Sequence, residues 1–185
     1  MLMRAGRLFA LCVLCGLAAA GPWAGATQSP DAGRAAERSI KAAYLYKFAD
    51  YVEWPDQAQA GAPLQIGVLG SAPMADELAR ITGGRPVGGR PVQVRRVDPG
   101  DPLAGLHVLF IGDHDRGQID DLLLPTRGLP ILTVTESAGA LADGSVINFT
   151  VERERVRFEV SLPAAERNRL KLSSRLLSVA QRVER

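Results

Sequence analysis

The densest run of hydrophobic positions lies between Ile40 and Pro55, IKAAYLYKFADYVEWP, which holds half of the aromatic residues in the chain. Ser39 before it is a suitable N-cap, and Pro55 predicts that a helix ends near Trp54. Apolar residues recur there at intervals of three and four, as on the buried face of an amphipathic helix: Ile40, Ala43, Tyr44, Phe48, Tyr51 and Val52. Four residues off this stripe are expected to face water or a partner: Tyr46, Lys47, Asp50 and Glu53.

Strand and helix patterns alternate from residue 64 to residue 134. Leu106–Ile111, LHVLFI, is a continuous apolar run of the kind that is buried on both faces of a sheet. The other elements predicted here are strands at 64–69, 91–97 and 131–134 and helices at 74–81 and 119–124. Such alternation predicts a three-layer α/β fold, in which a mostly parallel sheet is flanked by helices.

The pattern becomes strictly alternating towards the C-terminus. Val146–Val151 and Val156–Leu162 flank the charged turn Glu152–Arg155 and predict an antiparallel hairpin at one edge of the sheet. On its second strand Arg157 and Glu159 alternate with three inward apolar residues, so both are expected to face away from the core. Two helices complete the prediction, a short one at 163–168 and a last one that starts at residue 173 or 174 and carries Val183.

Residues 1–26 have the composition of a secretory signal. Arg4 and Arg7 form a basic start, Leu8–Ala20 is apolar, and Ala24-Gly25-Ala26 is a small-residue cleavage site. The apolar run is shorter than the about 20 residues that a membrane-spanning helix needs. We therefore expect cleavage after Ala26 and export to a bacterial periplasm, with residues 27–38 as a flexible leader and residues 39–185 as a single domain.

Removal of this segment changes the charge balance and the cysteine content. Two of the 22 basic residues and none of the 20 acidic residues are lost, so the mature chain is close to neutral. Nucleic acid is an unfavourable partner for such a chain, because its binding depends on many phosphate-neutralising cations. Both cysteines, Cys12 and Cys15, lie in the segment, so we expect a mature domain without disulfides.

Residues suited to catalysis are sparse. The glycine-rich stretch at 83–91 follows a predicted helix and precedes a strand, the reverse of a phosphate-binding loop, and is predicted to be a turn. His107, inside the apolar strand, is predicted to be a hydrogen-bonded core residue. Asp113 and His114 follow that strand at the edge where open α/β sheets bind ligands. No catalytic residue, metal site or cofactor is predicted, but a ligand cleft near Gly70, Asp113 and Glu136 stays an alternative.

The chain resembles the YfiR-like periplasmic regulators over nearly all of its mature length. The matching segments keep the family's order: KAAYLYKFADYVEWP at 41–55, QIGVLG at 65–70, GRPVQVRRV at 89–97, HVLFIGD at 107–113, ILTVTES at 131–137, INFTVERERVRFEVSL at 147–162 and LKLSSRLLSVA at 170–180. Typical members carry a cysteine just before the HVLFI-like strand, where this chain has Leu106. Redox control through cysteines, described for some relatives, is therefore not expected of a mature chain without them.

The resemblance implies a regulatory binding protein and not an enzyme. More specifically, the resemblance implies a repressor that binds the periplasmic region of an inner-membrane sensor such as a diguanylate cyclase. Release, promoted by an outer-membrane lipoprotein, would raise cyclic di-GMP and favour biofilm. The alternative is a small-ligand receptor or enzyme that uses the cleft near Asp113 and His114, and a homodimer is left open.

A docking surface should consist of charged or aromatic residues outside the predicted core, since aromatic and arginine side chains are enriched at interfaces. Glu53 and Trp54 meet this condition at the end of the aromatic helix. Arg157 and Glu159 meet it on the outer face of the hairpin. These four residues are the partner-binding candidates from the sequence.

Overall fold

The computed structural model describes residues 30–55 and 62–185. The expected signal segment and its cleavage site lie outside the described residues. The helices and strands follow one another along the chain in the order α1, β1, β2, α2, β3, β4, α3, β5, β6, β7, α4, β8, α5 and β9. The helices are α1 Pro30–Phe48, α2 Ala72–Thr82, α3 Arg116–Leu123, α4 Leu162–Arg167 and α5 Ser174–Val179. The strands are β1 Val52–Glu53, β2 Leu64–Leu69, β3 Val92–Val97, β4 Val108–Ile111, β5 Leu132–Thr135, β6 Ile147–Glu152, β7 Arg155–Ser161, β8 Lys171–Leu172 and β9 Arg182–Glu184.

A seven-stranded sheet in the order β3-β2-β4-β5-β6-β7-β9 organises the described residues, beside a two-stranded sheet of β1 and β8. Neighbouring strands from β3 to β6 are parallel, and β6 and β7 form the antiparallel hairpin. The predicted α/β class is therefore confirmed. The hairpin does not end the sheet, however, because β9 pairs in parallel with β7. The helix that was expected to include Val183 stops at Val179, and residues 182–184 extend the sheet instead.

Apolar side chains are buried on both faces of the sheet. One core lies under α1 and α2 and includes Leu45, Phe48, Leu78 and Phe110. A smaller core lies under α3 on the opposite face, where Ile119 packs with strand residues. This two-sided burial explains the continuous apolar run of β4, whose four residues are all buried.

Helix α1 begins nine residues earlier than Ser39, the expected N-cap. Pro30 is accepted in the first turn, where a missing N–H costs nothing, and Asp31 lies in that turn. Residues 30–38 of the expected leader are therefore helical in this structure. Ser39 is instead inside the helix, where its hydroxyl donates to Glu77 of α2 over 2.6 Å.

The buried face of α1 is rotated by about one residue from the predicted stripe. Lys41, Ala42, Leu45 and Phe48 are buried, whereas Ile40 is 47% exposed. The spacing of three and four was correct, but its phase was not, because helix α2 and the hairpin decide which side of α1 is covered. Among the helices of residues 30–55 and 62–185, none combines the length and apolarity that crossing a bilayer requires.

Helix α4 ends within one residue of the predicted boundary. Asn168 is its C-cap, but the residue with left-handed backbone is Arg169, at φ 57°. The Asn168 side chain is buried and joins two loops, because its amide donates to the Ile131 carbonyl (3.0 Å) and its oxygen accepts from the Gly128 amide (3.1 Å).

Candidate functional site

One row of directly opposed residues crosses the large sheet and changes from apolar to charged. Its members, from edge to edge, are Val97, Leu69, Ile111, Thr135, Asn148, Glu159 and Arg182. The first three pack in the core under α3. Thr135 and Asn148 are buried and joined by a hydrogen bond of 2.8 Å. The last two are charged, so the α3 side of the sheet becomes a polar surface over β6, β7 and β9.

We call this polar surface the hairpin face, defined by Thr150, Arg157, Glu159, Gln181 and Arg182. Arg157 is exposed and lies opposite Thr150. Glu159, whose side chain is 19% exposed, accepts two hydrogen bonds of 3.0 Å from the Arg182 guanidinium. This two-pronged pairing holds both side chains in a fixed orientation. Arg157 and Glu159 thus face away from the core, as predicted.

The turn between β6 and β7 fixes which residues face outward. Glu152 pairs with Arg155, so only Arg153 and Glu154 form the turn. Both have left-handed backbone, with φ of 48° and 62°, as a two-residue type I′ turn requires. A shift of one residue in this register would exchange Arg157 with buried Phe158, so the tight turn keeps the charged side chains on the surface.

Gln181 and Arg182 were not recognised as site residues from the sequence. Gln181 accepts a hydrogen bond from the Thr150 hydroxyl at 3.0 Å and donates to Glu152 at 2.5 Å, and Arg182 pairs with Glu159. Both had been assigned to a helix, which hid their alignment with β7. The alternation Arg182, Val183, Glu184 is the one signal of a strand in this stretch, and three residues are too few to establish a period.

Glu53 and Trp54 are not part of the hairpin face. Glu53 is exposed on β1, opposite Lys171 of the small sheet. Trp54 is only 7% exposed, so the expectation that it lies outside the core is wrong. Its indole N–H donates to the carbonyl of His107 over 3.1 Å, and its ring packs against the His107 ring. An indole ring that is buried with its N–H hydrogen-bonded is more stable there than the same ring exposed to water.

A second candidate site is a cleft at the carboxyl ends of the parallel strands, which we call the strand-end cleft. It has a volume of about 540 Å³ and is lined by Glu37, Lys41, Asp113, Glu136 and Asn148, among other residues. The cleft predicted near Gly70, Asp113 and Glu136 is therefore present at Asp113 and Glu136. Helix α1 supplies its other wall, which the sequence did not indicate.

Lys41 is the central charged group of the strand-end cleft. Its side chain is 8% exposed, and its ammonium donates to Glu37 (2.5 Å) and to Glu136 (2.7 Å). Burial by itself disfavours the charged form. The hydrogen bonds to Glu136 and Glu37 outweigh that effect and raise the pKa of Lys41 above its ordinary value. Lys41 stays charged and ties α1 to the end of β5.

His114 does not line this cleft. Its amide donates to the Ser137 hydroxyl over 2.9 Å, and its Nδ1 lies 2.8 Å from the carbonyl of Gly112. The ring covers Gly70, where an added Cβ would lie 2.5 Å from a ring carbon. His114 is therefore a packing residue, and of the pair only Asp113 is available to a ligand in the cleft. Across residues 30–55 and 62–185, no three His, Cys, Asp or Glu side chains are grouped as a metal ion would need.

Comparison with known protein families assigns the chain to one of them. A model of the YfiR/HmsC-like family matches residues 38–181. The chain belongs to this family. Membership in the YfiR/HmsC-like family implies a regulatory role in the periplasm. The matched range includes Lys41, Arg157 and Glu159, while Arg182 lies one residue beyond it.

Proposed function

We propose that this YfiR/HmsC-like protein represses an inner-membrane sensor, such as a diguanylate cyclase, by binding the sensor's periplasmic region. An outer-membrane lipoprotein would relieve the repression, raise cyclic di-GMP and favour biofilm. Family membership supports the role class. We choose the hairpin face as the docking surface because its charged side chains are held in fixed orientations on three paired strands.

The hairpin face has the physical properties of a docking surface. Its backbone is fixed by three paired strands, so little conformational entropy is lost when a partner binds. Arg157 is exposed and makes no ion pair with any residue of 30–55 or 62–185, which leaves its guanidinium available. Complementary charges on the partner would orient the complex and speed association.

Charge reversal tests the hairpin face. The double variant Arg157→Glu/Glu159→Lys is expected to fold, because Arg157 makes no ion pair among the described residues and Glu159 pairs at the surface with Arg182, whose side chain is 55% exposed. Because a hot-spot residue near the centre of an interface contributes about 2 kcal/mol or more, we expect capture of the sensor to fall on the order of tenfold or more if this pair is at the centre of the contact. In-cell crosslinking with mass spectrometry measures capture, and the cyclic di-GMP concentration measures loss of repression.

The matched control is Asp76→Lys/Arg96→Glu. This variant reverses an exposed ion pair of 2.7 Å between α2 and β3, at the other end of the sheet, and leaves the net charge unchanged, as the test variant does. It is expected to capture and repress normally. A folded hairpin variant that represses at the wild-type dose would exclude the hairpin face as the docking surface.

The strand-end cleft supports a second candidate function, a small-ligand receptor. Its favouring observation is the volume of about 540 Å³ at the strand ends, the usual ligand position in open α/β sheets. Asp113→Asn, which removes an exposed carboxylate of the cleft, separates the two functions. We expect unchanged capture and repression if the protein acts by docking alone, and a loss of the regulatory response if a ligand in this cleft controls it. His114→Gln is unsuited to the test because His114 packs on Gly70.

A further inference from the structure

A separate pocket lies at the amino ends of β4 and β5, opposite the strand-end cleft. We call it the Arg90 pocket. It has a volume of about 190 Å³, and its apolar walls include Trp54, Leu103, Leu106, Leu129 and Ile131. None of the residues proposed for docking lines it except Trp54, whose assignment to a surface was wrong. The proposed regulatory function leaves this pocket without a role.

Among the described residues that line the pocket, Arg90 is the one that carries a charge. Its Nε donates to the Ala62 carbonyl over 2.8 Å, and its Nη2 donates to the Pro63 carbonyl over 3.3 Å. The same Nη2 lies 2.9 Å from Nε2 of His107. These contacts hold the guanidinium at the pocket while leaving Nη1 without a hydrogen-bond partner in residues 30–55 and 62–185.

The charge of Arg90 is uncompensated within the described parts of the chain. Arg90 is half-buried, yet no carboxylate there lies within ion-pair distance of it. A partly desolvated cation without a counter-ion is costly to keep. The backbone carbonyls offset part of this cost, and an anion in the pocket would offset the rest.

His107 adds no second charge to the pocket. Burial, and then the nearby Arg90 charge, lower the pKa of His107 below its ordinary value. Its Nδ1 faces the Gln65 amide at 3.2 Å and its Nε2 faces the Arg90 guanidinium at 2.9 Å. Both neighbours can only donate, so the ring is neutral and accepts a hydrogen bond from one of them. In the part of the chain that the structure describes, the pocket therefore presents a single positive group beside an apolar cavity.

We propose that the Arg90 pocket binds a small monocarboxylate with an aromatic or branched apolar body. The carboxylate would accept a charge-assisted hydrogen bond from Nη1 of Arg90, the guanidinium nitrogen that the two carbonyls and His107 leave without a partner in residues 30–55 and 62–185. The apolar body would lie between Trp54 and Leu106. An apolar protein cavity of roughly 150 Å³ binds benzene, so about 190 Å³ accommodates one ring together with its carboxylate. A cation is excluded by Arg90, and a ligand without apolar surface would leave the walls uncovered.

Benzoate and benzamide form a matched probe pair, because they share size and ring and differ in charge. Isothermal titration calorimetry on the full chain is expected to show benzoate binding at least tenfold more tightly than benzamide. The indole N–H resonance of Trp54, assigned with Trp54→Phe, should shift on addition of benzoate. Equal binding of the two probes, or no benzoate binding at millimolar concentration, would overturn the proposal.

Two variants test separately the role of the Arg90 charge and the role of the cavity volume. Arg90→Gln should abolish the preference for benzoate, whereas the control Arg85→Gln, an exposed arginine that does not line the pocket, should retain it. Ala104 is exposed, lines the pocket and makes none of the Arg90 hydrogen bonds, so Ala104→Phe is expected to occupy part of the pocket and to weaken benzoate binding at least tenfold. This second variant keeps the test valid if Arg90→Gln fails to fold. A folded Ala104→Phe protein that binds benzoate as wild type does would contradict the assigned site.

Discussion

Phe48→Ala is expected to lower the free energy of unfolding by roughly 3–5 kcal/mol, the range for truncating a buried phenylalanine. Phe48 is 1% exposed, and its ring lies 4.9 Å from that of Phe158 and 5.8 Å from that of Phe149. Truncation leaves a cavity between α1 and the hairpin, and it removes aromatic pairs that contribute beyond burial alone. Chemical denaturation measures the loss.

Tyr46→Ala is the comparison within the same helix. Tyr46 is half-buried, and its hydroxyl donates to the Pro86 carbonyl over 3.1 Å. Since a typical hydrogen bond contributes about 1 kcal/mol, the expected loss is clearly smaller than that for Phe48. Equal losses for the two variants would mean that the face of α1 that stabilises the fold has been assigned wrongly.

Lys41→Met is expected to destabilise the protein by about 3 kcal/mol, at the lower end of the range for breaking a buried ion pair. The change leaves two carboxylates, on Glu37 and Glu136, without their cation. Their side chains are 38% and 18% exposed, so remaining water contact limits the loss. Lys47→Met, at an exposed lysine further along α1, is expected to change stability by less than about 0.5 kcal/mol.

Two further measurements identify the origin of this effect. Lys41→Met/Glu136→Leu should recover much of the stability, because an apolar pair can replace a buried ion pair at little cost. The raised pKa of Lys41 means that its charge stabilises the folded state fully below its unfolded value of about 10.5. That contribution is lost as the pH rises through the folded pKa. A deficit of Lys41→Met that grew under strongly alkaline conditions would contradict the ion-pair explanation.

The periodic parts of the chain could be predicted from the sequence for local reasons. A strand buried on both faces must be apolar throughout, as in β4, and a hairpin with one open face must alternate, as around Phe158. Arg157 and Glu159 followed from that alternation and were placed correctly. The strand-end cleft was located because parallel strands end at the same edge of the sheet, which brings Asp113 and Glu136 together.

Tertiary structure alone decided the features that depend on distant residues. Lys41 is buried and Ile40 exposed because Glu136, 95 residues along the chain, lies where its ammonium can pair. Trp54 is buried because the His107 carbonyl meets its indole N–H. Residues 182–184 form a strand because β7 presents a free edge to them. Periodicity in the sequence determines which residues share a face, whereas the packing of other elements determines which face is covered.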